Sequence, residues 1–307
     1  MASRQPDAEA DLLERERGRL FGLAYRLLGT PADAEDAVQE AFLRWQQRPD
    51  QRSIENPAGW LTTVLVRHCL DQLRTARVRR ERYTGPWLPE PIVEEDPSEE
   101  ALLDESLSLA MLVVLETLTP AERTVFVLHD AFGYDFDEVA GIVGRSQAAC
   151  RQLASRARRH VHERRPRFDA DAAQQQRVVD AFLAASTGGD LGGLLGLLDP
   201  SVVFRADGGG RVPAAGRPVT GPERVAQVVL AGREWYPGAT TRRVTVNGGP
   251  GLLVVHQGQV IAVTGISVAG GRITEIDVVM NPDKLHAVNR GAAAPSSPGR
   301  GRGAPPA

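Results

Sequence analysis

A chain of 307 residues with 42% hydrophobic and 24% charged positions has room for two or three domains. It contains no run of about 18 apolar residues that could cross a bilayer, and its N-terminus, MASRQPDAEADLLERE, has no apolar leader. The only cysteines, Cys69 and Cys150, lie far apart with no Cys/His spacing around them, which excludes a disulfide framework or a zinc site and points to a reducing cytoplasm.

The net charge of −3 conceals a segregation. Residues 67–82 carry six arginines against two carboxylates, and residues 145–167 carry eight against Glu163 alone. Between them, Glu90 to Glu105 holds eight carboxylates and no base, and Lys284 is the only lysine in the chain. Two basic blocks separated by an acidic spacer predict contact with a polyanion at two places.

In chain order, Leu20, Leu23, Ala24, Leu27 and Leu28 recur at helical spacing, with Gly29 placed to stop that helix. Thr30 and Pro31 open a second helix as N-cap and first-turn residue. Its buried stripe is Ala34, Ala37, Val38, Ala41, Phe42 and Trp45. Asn56-Pro57 starts a third, long helix that continues to about Arg82. Residues 84–97 contain four prolines and read as an extended linker. Ser98 restarts a helix to about Leu118. Thr119-Pro120-Ala121-Glu122 is a capping box opening another that ends near Gly133. A short helix, Phe136 to Val143, is halted by Gly144, and Ser146 caps a basic helix from Gln147 to about Glu163.

After Pro166 the texture changes. Helices at 171–186 and 190–198 give way to β-branched runs between glycine turns: VVFRA, TTRRVTV, GLLVVH, VIAVTGISV and ITEIDVVM. A helix near Glu223–Arg233 interrupts them. The pattern predicts an α+β domain with a curved antiparallel sheet. From about Asn289 the composition is low-complexity, and disorder is expected.

The short helix, glycine turn and capped basic helix predict a helix-turn-helix. In its second helix Cys150, Leu153, Ala154, Ala157 and Val161 form the inward stripe. Gln147, Arg151 and Gln152 are placed for base edges, while Arg156, Arg158, Arg159, Arg164 and Arg165 suit phosphates. On the third helix Trp60 with Arg67, Arg74 and Arg77 combines an aromatic with a cationic ridge, a surface for unstacked bases, although Trp60 taken alone reads better as core filler against the preceding helix. The second helix has the opposite sign: Asp33, Asp36 and Glu40, joined by Gln39, share one face. Such a face repels phosphate and reads either as a protein contact or as dipole-complementing structure.

These blocks resemble the extracytoplasmic-function (ECF) sigma factors of the sigma-70 family. The carriers are FGLAYRLLGTPADAEDAVQEAFLRW, NPAGWLTTVLVRHCLDQLR and LTPAERTVFVLHDAFGYDFDEVAGIVGRSQAACRQLASRARR. The resemblance implies two all-α domains, sigma region 2 at 8–83 and region 4 at 98–165. Region 2 would bind the β′ clamp helices of core RNA polymerase through Asp33, Asp36, Gln39 and Glu40, and would melt and hold the −10 element through Trp60, Arg67, Asp71, Arg74 and Arg77. Region 4 would meet the β flap and read the −35 element through Gln147, Arg151, Gln152, Ser155, Arg156 and Arg159. Many such factors carry Asn where this chain has Arg67.

WLPEP (Trp87, Leu88, Pro89 onward), DGGGR (Asp207 to Arg211) and NPDKL (Asn281, Pro282, Asp283, Lys284, Leu285) resemble the short motifs of the subgroup with a fused C-terminal SnoaL-like domain, here 170–288 with a tail at 289–307. Its implied fold is the cone of ketosteroid isomerase, and its implied role is regulation in cis, the C-terminal domain being an intramolecular partner. Promoter DNA and core polymerase are then the external partners, with neither cofactor, metal nor membrane called for, and a small-molecule effector is left open. The competing reading is a helix-turn-helix regulator acting without polymerase, whose cone domain senses a small molecule or catalyses acid–base chemistry with Asp207, His256, Asp277 or Tyr236.

Overall fold

The computed structural model describes residues 5–80, 83–94, 108–164 and 172–292. Helices α1 (Gln5–Leu28), α2 (Pro31–Gln46) and α3 (Pro57–Arg80) open it, and their boundaries have local causes. Gly29 turns α1 off at φ +79, a backbone conformation costly for any residue with a Cβ. The Thr30 hydroxyl accepts from the Asp33 N–H, and the Asn56 side chain accepts from the Gly59 N–H at 2.9 Å.

Over 84–94 the proline-rich linker is extended, as predicted, and contributes a two-residue strand, β1 (Val93–Glu94). The single helix expected from Ser98 to about Leu118 is corrected: α4 (Leu109–Glu116) begins only after Ser108, whose extended backbone (ψ 144) and side chain, accepting from the Met111 N–H, make it an N-cap and not a helix interior; residues 95–107, with most of the acidic spacer, lie outside the described residues. Next, α5 (Pro120–Phe126) opens with both halves of the Thr119/Glu122 capping box in place and runs on as a π turn over Val127–Ala131. Then α6 (Phe136–Val143) ends on left-handed Gly144, and α7 (Gln147–Arg164) follows.

The C-terminal domain contains α8 (Ala172–Gly188), α9 (Leu191–Leu197), β2 (Leu198–Asp207), β3 (Val219–Thr220), α10 (Pro222–Glu234), β4 (Thr240–Val246), β5 (Gly249–His256), β6 (Gln259–Ala269), β7 (Arg272–Val279) and α11 (His286–Ala292). It is the predicted cone of curved sheet and helices, with two corrections. The strand order is β1-β4-β5-β6-β7-β2-β3, and β2 pairs with β7 in parallel, so the sheet is mixed rather than antiparallel. The cause is α10, which carries the chain to the far edge; the meander β4–β7 then returns beside β2 running the same way. The second correction concerns the tail. Helix α11 continues through Ala292, because Asn289 is tied to the Val260 backbone by bonds of 2.8 and 3.1 Å; residues 293–307 lie outside the described residues.

Three apolar clusters organise the molecule. One unites α1–α3 with α4–α7, from Leu20 and Leu65 through Leu112 and Leu128 to Cys150 and Val161, so the two helical domains share a continuous core. The second fills the cone between the sheet and α8–α10. The third lies on the sheet's other face, where Leu88 of the linker and Leu109 of α4 pack on Val244, Leu253, Val263, Val279 and Leu285.

Candidate functional site

Helices α6 and α7 form the predicted helix-turn-helix. Cys150, Ala154 and Ala157 are fully buried, and this stripe turns Arg151, Gln152, Ser155, Arg156 and Arg159 outward and exposed, with Gln147 half-buried at the N-terminus. The Arg151 guanidinium lies 5.7 Å over the Phe136 ring, which holds it against the first helix of the motif. Arg158, expected at a phosphate, is exposed and bonded to Asp130 at 2.6 Å. Of the further arginines, the Arg164 side chain and Arg165 lie outside the described residues.

On α2, Asp33, Asp36 and Gln39 are exposed and Glu40 half-buried. Asp33 also accepts from Thr30 Oγ1 at 2.6 Å, and Glu40 pairs with Arg44 at 2.6 Å; both belong to the helix's own electrostatics as well as to its outer face. On α3, Trp60 meets Trp45 edge-on at 5.4 Å with Arg48 over its ring at 5.4 Å. That packing supports the core-filler reading, although the ring is only half-buried. Asp71 and Arg74 form an exposed pair at 3.0 Å. Arg77 is on α3, with its side chain outside the described residues. Arg67 does something the sequence does not reveal: its Nε donates to Ile142 O at 3.1 Å and its Nη2 to Gly141 O at 3.3 Å.

The linker and the two C-terminal motifs converge on one buried point. Asp207, fully buried, accepts from the Leu88 N–H at 2.9 Å, Tyr83 Oη at 2.6 Å, Lys284 Nζ at 2.7 Å and the Gly209 N–H at 3.0 Å. Lys284 also donates to Leu88 O and lies 3.8 Å over the Trp87 ring. Asn281 donates to Tyr83 Oη at 2.7 Å, and a Cβ at Gly209, where φ is +61, would collide with the Asn281 amide. Arg211 and Asp283 form an exposed pair at 3.3 Å. Pro89 is buried beside Leu88. Burial and the bond to Asp207 push the Tyr83 hydroxyl well above its ordinary pKa. A buried carboxylate meeting an ammonium and three further donors is a satisfied site.

Sigma-70 region 2 matches residues 12–79 and Sigma-70 region 4 matches residues 108–161. The ECF RNA polymerase sigma factor SigJ of Mycobacterium tuberculosis is 42% identical, over 90% of this chain and 93% of its own length. The chain belongs to the ECF RNA polymerase sigma factors. The probable ECF sigma factor SigI of the same organism is 37% identical, covering 92% of this chain and 96% of the relative. The crystal structure of the Mycobacterium tuberculosis SigJ superposes with a TM-score of 0.74 at 39% identity, covering 90% of this chain and 98% of that one. As a sigma factor, the protein serves transcription initiation with core RNA polymerase at promoter DNA. Among the described residues, no helix is long and apolar enough to cross a membrane.

Several residues that hold this sigma factor together escaped sequence reading. Tyr25 Oη donates to Glu90 O and accepts from Asn247 Nδ2, both at 2.7 Å; burial pushes this hydroxyl far up. Asn247 in turn brackets Ile92, donating its N–H to Ile92 O at 2.9 Å and accepting from the Ile92 N–H at 3.2 Å. In the sequence Asn247 signals only a turn. Arg123, 2% exposed, donates to Arg26 O at 2.9 Å and pairs with Glu116, welding α5 to α1; it resembles any helical arginine until the partners are known.

The four candidate catalytic groups of the cone do not converge on one site: Asp207 and Asp277 lie diagonally on the paired strands β2 and β7, and Tyr236 and His256 lie together elsewhere. Asp207 is committed to Lys284. Asp277 pairs with Arg205 at 2.9 Å, beside Glu275 at 2.8 Å, where a cleft of about 650 Å³ opens between α4 and strands β2, β6 and β7. Burial raises both carboxylates above their ordinary range. His256 and Tyr236 have their rings 5.7 Å apart at the end of β5. That is five residues from Gly251, which lies across β6 from Asp277, or roughly 17 Å along the strand.

Proposed function

We propose that the C-terminal domain holds this sigma factor in a closed form by gripping the linker between regions 2 and 4, and that release of the linker frees the two regions to engage polymerase and promoter. The observation that carries the reading is the convergence of Tyr83, Leu88, Asp207, Asn281 and Lys284 on one buried site, together with the core shared by regions 2 and 4. The −35 and −10 elements are separated by about 25 base pairs, roughly 85 Å of duplex at 3.4 Å each. Helices packed through one core cannot span that distance, so the closed form reads one element at most.

In the open form Asp33, Asp36, Gln39 and Glu40 bind the β′ clamp helices, and region 4 reaches the β flap. Trp60, Arg67, Asp71, Arg74 and Arg77 hold the melted −10 strand. Gln147, Arg151, Gln152, Ser155, Arg156 and Arg159 read the −35 duplex. The C-terminal domain acts as a regulator and not as a catalyst, since its candidate acid–base groups are split between two places and both carboxylates are committed to cations.

Reconstituted transcription with core polymerase tests both halves. Asp36→Arg with Glu40→Arg should abolish polymerase binding, whereas in a repressor acting alone it would leave DNA affinity intact or raise it. Truncation after Pro166 should change polymerase-dependent output from a mapped start. Unchanged output from the truncated chain refutes regulation in cis.

A further inference from the structure

We propose that Arg67 is a positioning residue of the closed form, and that the helix-turn-helix and single-stranded DNA compete for its side chain. The inference rests on the assignment of α3 to the −10 strand and adds a second, mutually exclusive partner for one of its residues.

Arg67 projects from α3 of region 2, and its guanidinium spans the last turn of α6, donating to Ile142 O and Gly141 O. The last four carbonyls of a helix have no donor within it and carry the negative end of its dipole. A cation there makes charge-assisted bonds that a neutral side chain cannot replace at equal strength. With Nε and Nη2 both committed across the domain boundary, the side-on fork of Arg67 is closed to a phosphate or a base as long as α6 holds it. The contact is local to the two regions: Arg67 touches neither the linker nor the C-terminal domain in the hydrogen bonds described. A second strut close by has a different character. Arg19 donates to Tyr134 Oη and Thr62 Oγ1, both at 2.8 Å, so it ties the same two regions together from a position assigned to no DNA contact.

This arrangement couples opening to nucleic acid through one side chain. Whatever frees Arg67 from α6 makes it available to DNA, and DNA that captures Arg67 removes a bond from the closed form. Because Arg67 is exposed, the latch is also weakened by salt.

The test uses the full-length chain without polymerase. Donor and acceptor dyes on Gln46→Cys and His162→Cys report the separation of α2 and α7; the native Cys69 and Cys150 are fully buried and stay unlabelled. In this background Arg67→Gln should raise the ratio of open to closed molecules about tenfold, the loss of one charge-assisted contact, and Arg19→Gln should also open the chain. Short single-stranded DNA of mixed sequence should then move the parent and Arg19→Gln further toward the open form, but not Arg67→Gln. An unchanged distance distribution in Arg67→Gln overturns the proposal. So does a DNA-driven shift as large in Arg67→Gln as in Arg19→Gln, which would make Arg67 a strut with no second partner. Neither readout involves polymerase, so a failure of the clamp-binding assignment would appear separately, in the Asp36→Arg experiment.

Discussion

Asp207 illustrates how much one side chain can hold when every acceptor position is filled. Its four donors come from three segments far apart in sequence, and the ammonium of Lys284 compensates the charge of a fully buried carboxylate. Removing one member of a buried pair costs more than the pair contributes, because the other is left charged and unpaired. Asp207→Ala should therefore lower unfolding stability by about 3–5 kcal/mol, whereas the double variant Asp207→Asn with Lys284→Met should lose clearly less than the sum of its parts; urea unfolding of the full chain measures both. At Tyr25 the loss is of a different kind. Tyr25→Phe strips Glu90 O of a donor and the Asn247 amide of an acceptor, with an expected cost of about 1–3 kcal/mol in the same assay. The motifs around Asp207 were visible as motifs. That Tyr83 and Tyr25 complete them was not, because a hydroxyl partner 65 or 124 positions away leaves no local pattern.

The linker behaves as a peptide ligand of the C-terminal domain. It adds a strand to the sheet edge, Val93 opposite Val246 and Glu94 opposite Thr245, and it inserts Leu88 fully into the third cluster. Backbone bonds at a sheet edge with a side chain in a pocket are the ingredients of strand-addition recognition. Its prolines leave little conformational freedom to lose on docking. Glu90 adds a pH term. Burial raises its carboxyl above the ordinary range despite the opposing fields of Lys284 and Arg290, so the docked linker binds a proton more readily than the free one. Docking is then strongest below the ordinary carboxylate range and weakens as pH rises through the raised value. Hydrogen exchange at the Leu88 N–H, corrected for intrinsic rate, should show protection falling over that window, and Glu90→Gln should flatten it. Helix boundaries were legible in the sequence for a physical reason. Thr30, Asn56 and Thr119 cap within four residues of themselves, so their information is local. Strand β1 was not legible, since two residues of a proline-rich stretch become a strand only when β4 supplies the other half of the ladder.

At the scale of the whole molecule, three pieces that sequence reading separates are packed as one. Regions 2 and 4 share a core, and the outer face of the sheet is closed by Leu88 and Leu109. The parallel pairing of β2 with β7 and the Arg67 contact were equally out of reach, since both depend on where a distant element arrives. A compact chain of about 300 residues has a radius of gyration near 19 Å. Small-angle scattering from the intact protein should give a value close to this, and Leu88→Asp, which places a charge in the third cluster, should expand it. An intact chain as extended as that variant would contradict the closed form.

Because the chain holds a single lysine and that lysine lies inside the seal, covalent amine chemistry becomes a one-site gauge of docking. An acylating reagent has Lys284 and the N-terminus to choose between, and intact-mass spectrometry separates one adduct from two. The rate at which the second appears times the escape of the linker directly, in any mixture of polymerase, promoter or metabolite, with no engineered label on the protein.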